Sequence, residues 1–199
     1  MVSKAIETIE KALRHTGVAS SDFDLLSDVS LAAGRILRPA AVLVPLIERQ
    51  NQLNVILTKR ASGLKHHPGQ IAFPGGKKDP EDHDLFATAL REASEEIALP
   101  EYLVSVLGEI APHETVTGFK VTPVIGLVTD DFQPVAEAGE VAEIFEVPLS
   151  HLMSLSQYSV QTRFWGGKKR AYYTVPWGPY YIWGATARML YTLAHQANR

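Results

Sequence analysis

The chain has 199 residues, 46% of them hydrophobic and 21% charged, with a formal net charge of −3; this suits one globular domain with a sizeable core and argues against a general nucleic-acid binder. It has no cysteine, which excludes disulfides and thiolate metal sites and fits a reducing, cytoplasmic setting. No secretory signal and no apolar run of transmembrane length is present, so no membrane partner is expected.

Residues 3–16 read as a short amphipathic helix with Ile6, Ile9 and Leu13 on one side and Gly17 as its stop. Residues 20–37 have a mixed pattern that includes Phe23, Val29 and Leu31. Residues 1–37 are expected to cover the core; the alternative is a regulatory or dimerising arm, so a homodimer is left open. Pro39 to Ile47 reads as a strand, and Pro45 within it points to an edge or a bulge. A polar turn over 48–52 leads into a second strand, Asn54 to Thr58, and the two form a hairpin. Residues 61–70 are a loop containing Lys65, His66 and His67. The paired histidines fit a basic loop better than a metal site, because sequence neighbours seldom ligate one ion and no third soft ligand is near. Ile71 to Phe73 is a short strand, broken by Pro74-Gly75-Gly76, where glycine permits close approach of another group.

A helix follows. Phe86, Leu90, Ala93 and Ile97 recur at three- and four-residue steps and define one apolar stripe. Asp79 or Asp82 can cap it, Pro80 suits a first turn, and Pro100 limits its far end. Glu92 and Glu96 are four apart and lie one above the other, with Glu95 beside them. Carboxylates so placed repel each other unless a cation lies between them, and hard oxygen ligands suit Mg²⁺ or Mn²⁺. Arg91, four before Glu95, can orient that carboxylate. Taken alone, Arg-Glu-Ala-Ser-Glu-Glu is an ordinary solvated helix face; the strand and double glycine ahead of it shift the reading towards a site.

Beyond Pro100, strands are read at Tyr102–Ile110, Phe119–Val128, with Pro123 inside, and Val141–Val147. An acidic loop over 130–140 separates the last two, and a short helix opens at Pro148. Tyr158–Trp165 and Ala171–Trp177 form a hairpin around Gly166-Gly167, and a final helix runs from Gly184 to Gln196 with Ala187, Leu190, Tyr191 and Ala194 inward. The aromatic residues before that helix read as core, with a stacking surface for adenine as the lesser alternative.

The stretch from Gly76 to Leu99, with Arg91, Glu92, Ala93, Glu95 and Glu96 in register, resembles the Nudix hydrolase signature. The spacer between Gly76 and Arg91 is one residue longer than usual. Counting from Gly76 therefore gives Asp82 as the early acidic residue, while counting back from Arg91 gives His83. Ala98 stands where a glycine is usual. Upstream, Leu57-Thr58-Lys59-Arg60-Ala61, Lys65 and Gly69 to Gly76 resemble the extra signature of the coenzyme A pyrophosphatase branch, with Lys65 in place of an arginine. Thr117-Gly118, Val121 to Val124 and Trp183 to Ala187 resemble the same branch.

The resemblance implies an α/β chain with the Nudix fold, an α/β/α sandwich around a mixed β-sheet. It implies Glu92, Glu95 and Glu96 as metal ligands for Mg²⁺ or Mn²⁺, Arg91 as the residue holding the carboxylates, and Gly75 and Gly76 as the loop at the metal. Many Nudix enzymes take one more glutamate from outside the signature as base or ligand; Glu140 is the candidate here. Arg60 and Lys65 are expected to bind substrate, including the 3′-phosphate of coenzyme A. Three functions compete: a coenzyme A pyrophosphatase releasing 4′-phosphopantetheine and adenosine 3′,5′-bisphosphate, a hydrolase of ADP-ribose or a dinucleotide, and a non-catalytic nucleotide sensor. The partner in each is a small-molecule nucleotide.

Overall fold

Alternate residues of the second strand point to opposite layers, and this period-two pattern builds the molecule. Ala40, Val44 and Leu46 enter one apolar cluster; Ala41, Leu43 and Ile47 enter another on the opposite face. In this computed structural model, residues 2–15, 17–26, 34–165 and 168–199 are described. The elements in chain order are α1 (Val2–Leu13), β1 (Ser20–Ser21), β2 (Arg38–Arg49), β3 (Gln52–Arg60), β4 (Ile71–Ala72), β5 (Gly75–Lys77) and α2 (Leu85–Ile97). Then come β6 (Val104–Glu109), β7 (His113–Glu114), β8 (Phe119–Val128), β9 (Val141–Pro148), α3 (Leu149–Leu152), β10 (Ser159–Trp165), β11 (Lys168–Thr174) and α4 (Gly184–Ala197). The readings at Val29, Leu31 and the Gly166-Gly167 turn lie outside the described residues.

The main sheet runs β1-β7-β8-β2-β3-β4, with β5 also beside β2, β6 beside β8 and β9 beside β3. It is mixed: β2 and β8 are parallel from Arg38↔Phe119 to Ile47↔Val128, while β3 lies antiparallel to both β2 and β9. One face packs on α2 through Ala89, Ala93 and Ile97. The other packs on α1 and α4 through Ile9, Leu190 and Leu193. Helices on both faces of a mixed sheet make the expected α/β/α sandwich. In α1, Ile9 is 1% exposed. The ribbon β10–β11 stands apart as a second sheet and leans on α4 through the stacked rings of Tyr173 and Tyr191, 4.5 Å apart.

Three expectations need correcting. Pro45 does not mark an edge, because β2 is central. On β2, Leu43 N–H donates to Pro74 O and Pro39 O accepts from Lys78 N–H, so the odd-numbered residues face β5 and β3. Pairing with β5 ends at Val42 and pairing with β3 starts at Leu46, so the missing Pro45 N–H falls in the gap. Pro123 repeats the solution on β8, between β7 at Val121 and β6 at Val124.

Gly75-Gly76 does not only break a strand. It begins β5, paired with Ala41 and Val42.

The α2 cap is neither Asp79 nor Asp82 but Asp84, whose carboxylate accepts from Ala87 N–H at 2.8 Å. Asp82 is withheld from capping because other groups bind both of its oxygens. The apolar stripe holds, although Phe86 and Leu90 are only partly buried while Ala89, Ala93 and Ile97 are fully so.

Candidate active site

The candidate site lies where the start of β2, the end of β3 and the start of β9 meet the carboxylate face of α2. β5 brings Gly76 against that helix so closely that a Cβ on Gly76 would lie 2.5 Å from the Glu92 carboxylate. A Cβ on Gly75 would lie 2.5 Å from Ala41 O. Both glycines are there because backbone must pass where a side chain cannot.

Arg91 organises the acids. Its Nε and Nη2 donate to the two oxygens of Asp82 at 2.9 and 3.1 Å, Nη2 also donates to Glu92 at 3.0 Å, and Nη1 donates to Glu95 at 3.0 Å. Asp82 in turn accepts from Asp79 N–H and from the Thr88 hydroxyl, each at 2.9 Å. Arg91 and these donors hold the buried Asp82 carboxyl well below the usual carboxylate range, and the same pairing raises Arg91 further above its ordinary value. Asp82 is the acid of the two signature candidates that Arg91 engages, while the His83 side chain is 80% exposed and pairs with Asp84.

Glu96 is the unusual member. It is 5% exposed and makes no ion pair among the described residues. Burial pushes its carboxyl up to about 8; Arg60 and the Gly75 N–H oppose that rise, while the charges of Glu92 and Glu140 add to it. Glu92 is raised for the same first reason, burial, against the pull of Arg91. Arg60 and Glu140 are therefore close enough for their charges to act on Glu96. The chain secures this proximity: Glu137 N–H donates to Glu96 O, Val135 N–H to Ile97 O, and Ala61 N–H to Glu140 O. The 130–140 loop is thus fastened to both the end of α2 and the end of β3.

Two expected residues stand further out. Glu95 is 59% exposed and held by Arg91. Lys65 is exposed in the 61–70 loop and makes no hydrogen bond or ion pair with a described residue. Sequence reasoning missed Thr88, which is fully buried under Asp82; its signal was a hydroxyl four residues before Glu92, on the helix face that carries the acids. Among the described residues no three acidic or histidine side chains converge as a ready ligand set, because Arg91 draws Glu92 and Glu95 towards itself. The donor chemistry still fits a hard divalent cation: a buried carboxylate that makes no ion pair among the described residues and feels the negative charges of Glu92 and Glu140 is stabilised by positive charge.

The NUDIX domain family model matches residues 37–174. Nudix hydrolase NudL of Enterobacter sp. (strain 638) is 42% identical over 187 residues, covering 87% of this chain and 95% of its own. The protein of that name from Yersinia enterocolitica is 44% identical over 159 residues, covering 80% of this chain and 81% of its own. Among solved structures, the C. elegans Ap4A hydrolase binary complex has a TM-score of 0.48 at 18% identity, covering 57% of this chain and 82% of its own. The chain belongs to the Nudix hydrolase family, enzymes that cleave phosphoric anhydrides in small nucleotide-derived substrates with the help of divalent cations.

Proposed function

We propose that this enzyme hydrolyses the diphosphate bond of coenzyme A or its derivatives, giving 4′-phosphopantetheine and adenosine 3′,5′-bisphosphate. One observation carries the substrate reading. The Leu57–Gly76 segment, which resembles the coenzyme A branch, is fastened beside the carboxylates. Arg60 N–H donates to Gln70 O at 3.0 Å and Gly69 N–H to Arg60 O at 3.1 Å, so the loop closes on itself at Arg60. The Arg60 charge acts on Glu96, and the next residue, Ala61, is tied to Glu140.

Glu92 and Glu96 would hold Mg²⁺ or Mn²⁺, with Glu95 as a third ligand or a group orienting water. When bound, the cation neutralises the diphosphate oxygens and stabilises the leaving phosphate. The protein supplies positioning and fixed charge. Arg91, locked by Asp82, fixes the carboxylates. Gly75 and Gly76 let backbone approach them. Arg60 and Lys65 meet substrate phosphates, and Glu140 takes the proton of the attacking water or joins the ligand set.

The test is a product assay with coenzyme A, its 3′-dephospho form and ADP-ribose side by side, in Mg²⁺ and in Mn²⁺. The expected outcome is release of 4′-phosphopantetheine and a higher kcat/KM for coenzyme A than for either other substrate. Preference for ADP-ribose overturns the reading in favour of another nucleoside diphosphate derivative.

A further inference from the structure

The segment before α4 leaves aromatic rings at the site end of the molecule that core packing does not use up. Tyr181 is 46% exposed. The Tyr172 ring meets Trp183 edge-on at 5.2 Å, and the neighbouring Tyr181 raises the Tyr172 hydroxyl above its ordinary value. Trp183 is pinned to β11 by a bridge to Thr174, whose hydroxyl donates to Ile182 O at 3.0 Å. The next residue, Gly184, has the Gln70 side-chain amide 3.6 Å from where its Cβ would be. Gln70 is the residue whose carbonyl holds Arg60, so this aromatic corner adjoins the segment fastened beside Glu96.

Positive charge accompanies the rings. Gln161 pairs with Tyr172, and Arg163 with Arg170, so these side chains share one face of the ribbon. Two arginines directly opposite each other repel, and the buried Arg170 Nε has no hydrogen-bond partner among the described residues. A bound anion relieves both conditions. Aromatic rings beside arginines are the chemistry that receives a base and its phosphates.

We propose that Tyr172, Tyr181 and Trp183, beside Gln70, form the platform on which the nucleobase of the substrate stacks. This inference rests on the reading of the site as one that cleaves a nucleotide diphosphate, and it adds which half of the substrate lies on the α4 side. The adenosine half goes to the platform, and the other half extends away from it.

Calorimetric titration of the protein with the two product halves tests this. Tyr181→Ala weakens binding of adenosine 3′,5′-bisphosphate by roughly tenfold or more and leaves binding of 4′-phosphopantetheine unchanged. Tyr181→Phe keeps the ring and retains binding. Unchanged adenosine 3′,5′-bisphosphate binding in Tyr181→Ala, or equal loss for both halves, overturns the platform. Failure of the coenzyme A reading shows separately, as a wild type that prefers ADP-ribose; an adenosine-selective loss in Tyr181→Ala then still supports the platform, since both substrates carry adenine.

Discussion

The Glu92 carboxylate occupies the space in which a side chain on Gly76 would have to sit, with its carbon and nearest oxygen 2.5 Å from the ideal Cβ position. Gly76→Ala therefore moves either β5 or Glu92. Because β5 is paired to central β2, the carboxylate gives way first. Turnover is expected to fall about 10–100-fold, the usual consequence of disturbing the groups that orient a ligand, with a small change in melting temperature. Steady-state kinetics across a Mg²⁺ titration, with thermal melts alongside, check this; wild-type activity in the variant refutes it.

Glu96→Gln keeps the shape of the side chain and removes the charge. Loss of that charge-stabilising contribution is expected to cost roughly 3–4 kcal/mol of the barrier, or two to three orders of magnitude in kcat. The fold is expected to persist, since the carboxylate makes no ion pair among the described residues. Wild-type turnover at limiting Mg²⁺ removes Glu96 from the ligand set.

Asp82 is a stability residue as much as an active-site one. Asp82→Asn leaves the half-buried Arg91 without its main partner, at an expected cost of about 3 kcal/mol. The pH dependence follows from the lowered carboxyl. Stability from the pair is full above the ordinary aspartate value of 3.8 and is lost as pH falls through the depressed value. Urea unfolding should therefore separate wild type from Asp82→Asn at pH 7, with the gap closing in strong acid. A gap that widens as pH falls contradicts the assignment.

Ala98 ends α2 in the left-handed region, at φ 55°, with its N–H turned back to Ala93 O. An alanine is strained there. Ala98→Gly is expected to add about 0.5–1 kcal/mol to stability, because relief of strain outweighs the greater freedom of glycine in the unfolded chain. Denaturant midpoints measure it, and kcat should not change.

Much of this architecture was legible because burial follows simple periods. The β8 boundaries, the β2–β3 hairpin and the carboxylate face of α2 all follow from alternation or from three- and four-residue steps. What stayed hidden depended on partners distant in sequence. Pro45 looks like an edge residue until β5 and β3 are seen to share one side of β2 and leave a gap. Asp82 looks like a cap until Arg91, nine positions later, occupies both of its oxygens. The extra spacer residue had obscured that partner, and only geometry restored the count. The placement of Glu140 likewise needed the Glu137–Glu96 backbone bond, which no local pattern announces.

The parallel pairing of β2 with β8 carries a consequence for how the enzyme comes into being. Every residue of α2 lies between those two strands in the chain, and the helix packs on both. The centre of the sheet therefore cannot close until the chain has been made through Val128, and non-local pairings of this kind form slowly. A nascent chain that has emerged only as far as Ile97 already contains Gly76, Arg91 and all three signature glutamates, yet lacks β8, which supplies part of the surface on which α2 packs. Catalytic competence cannot precede β8 and waits further for the loop that carries Glu140, well after the last signature residue has been added.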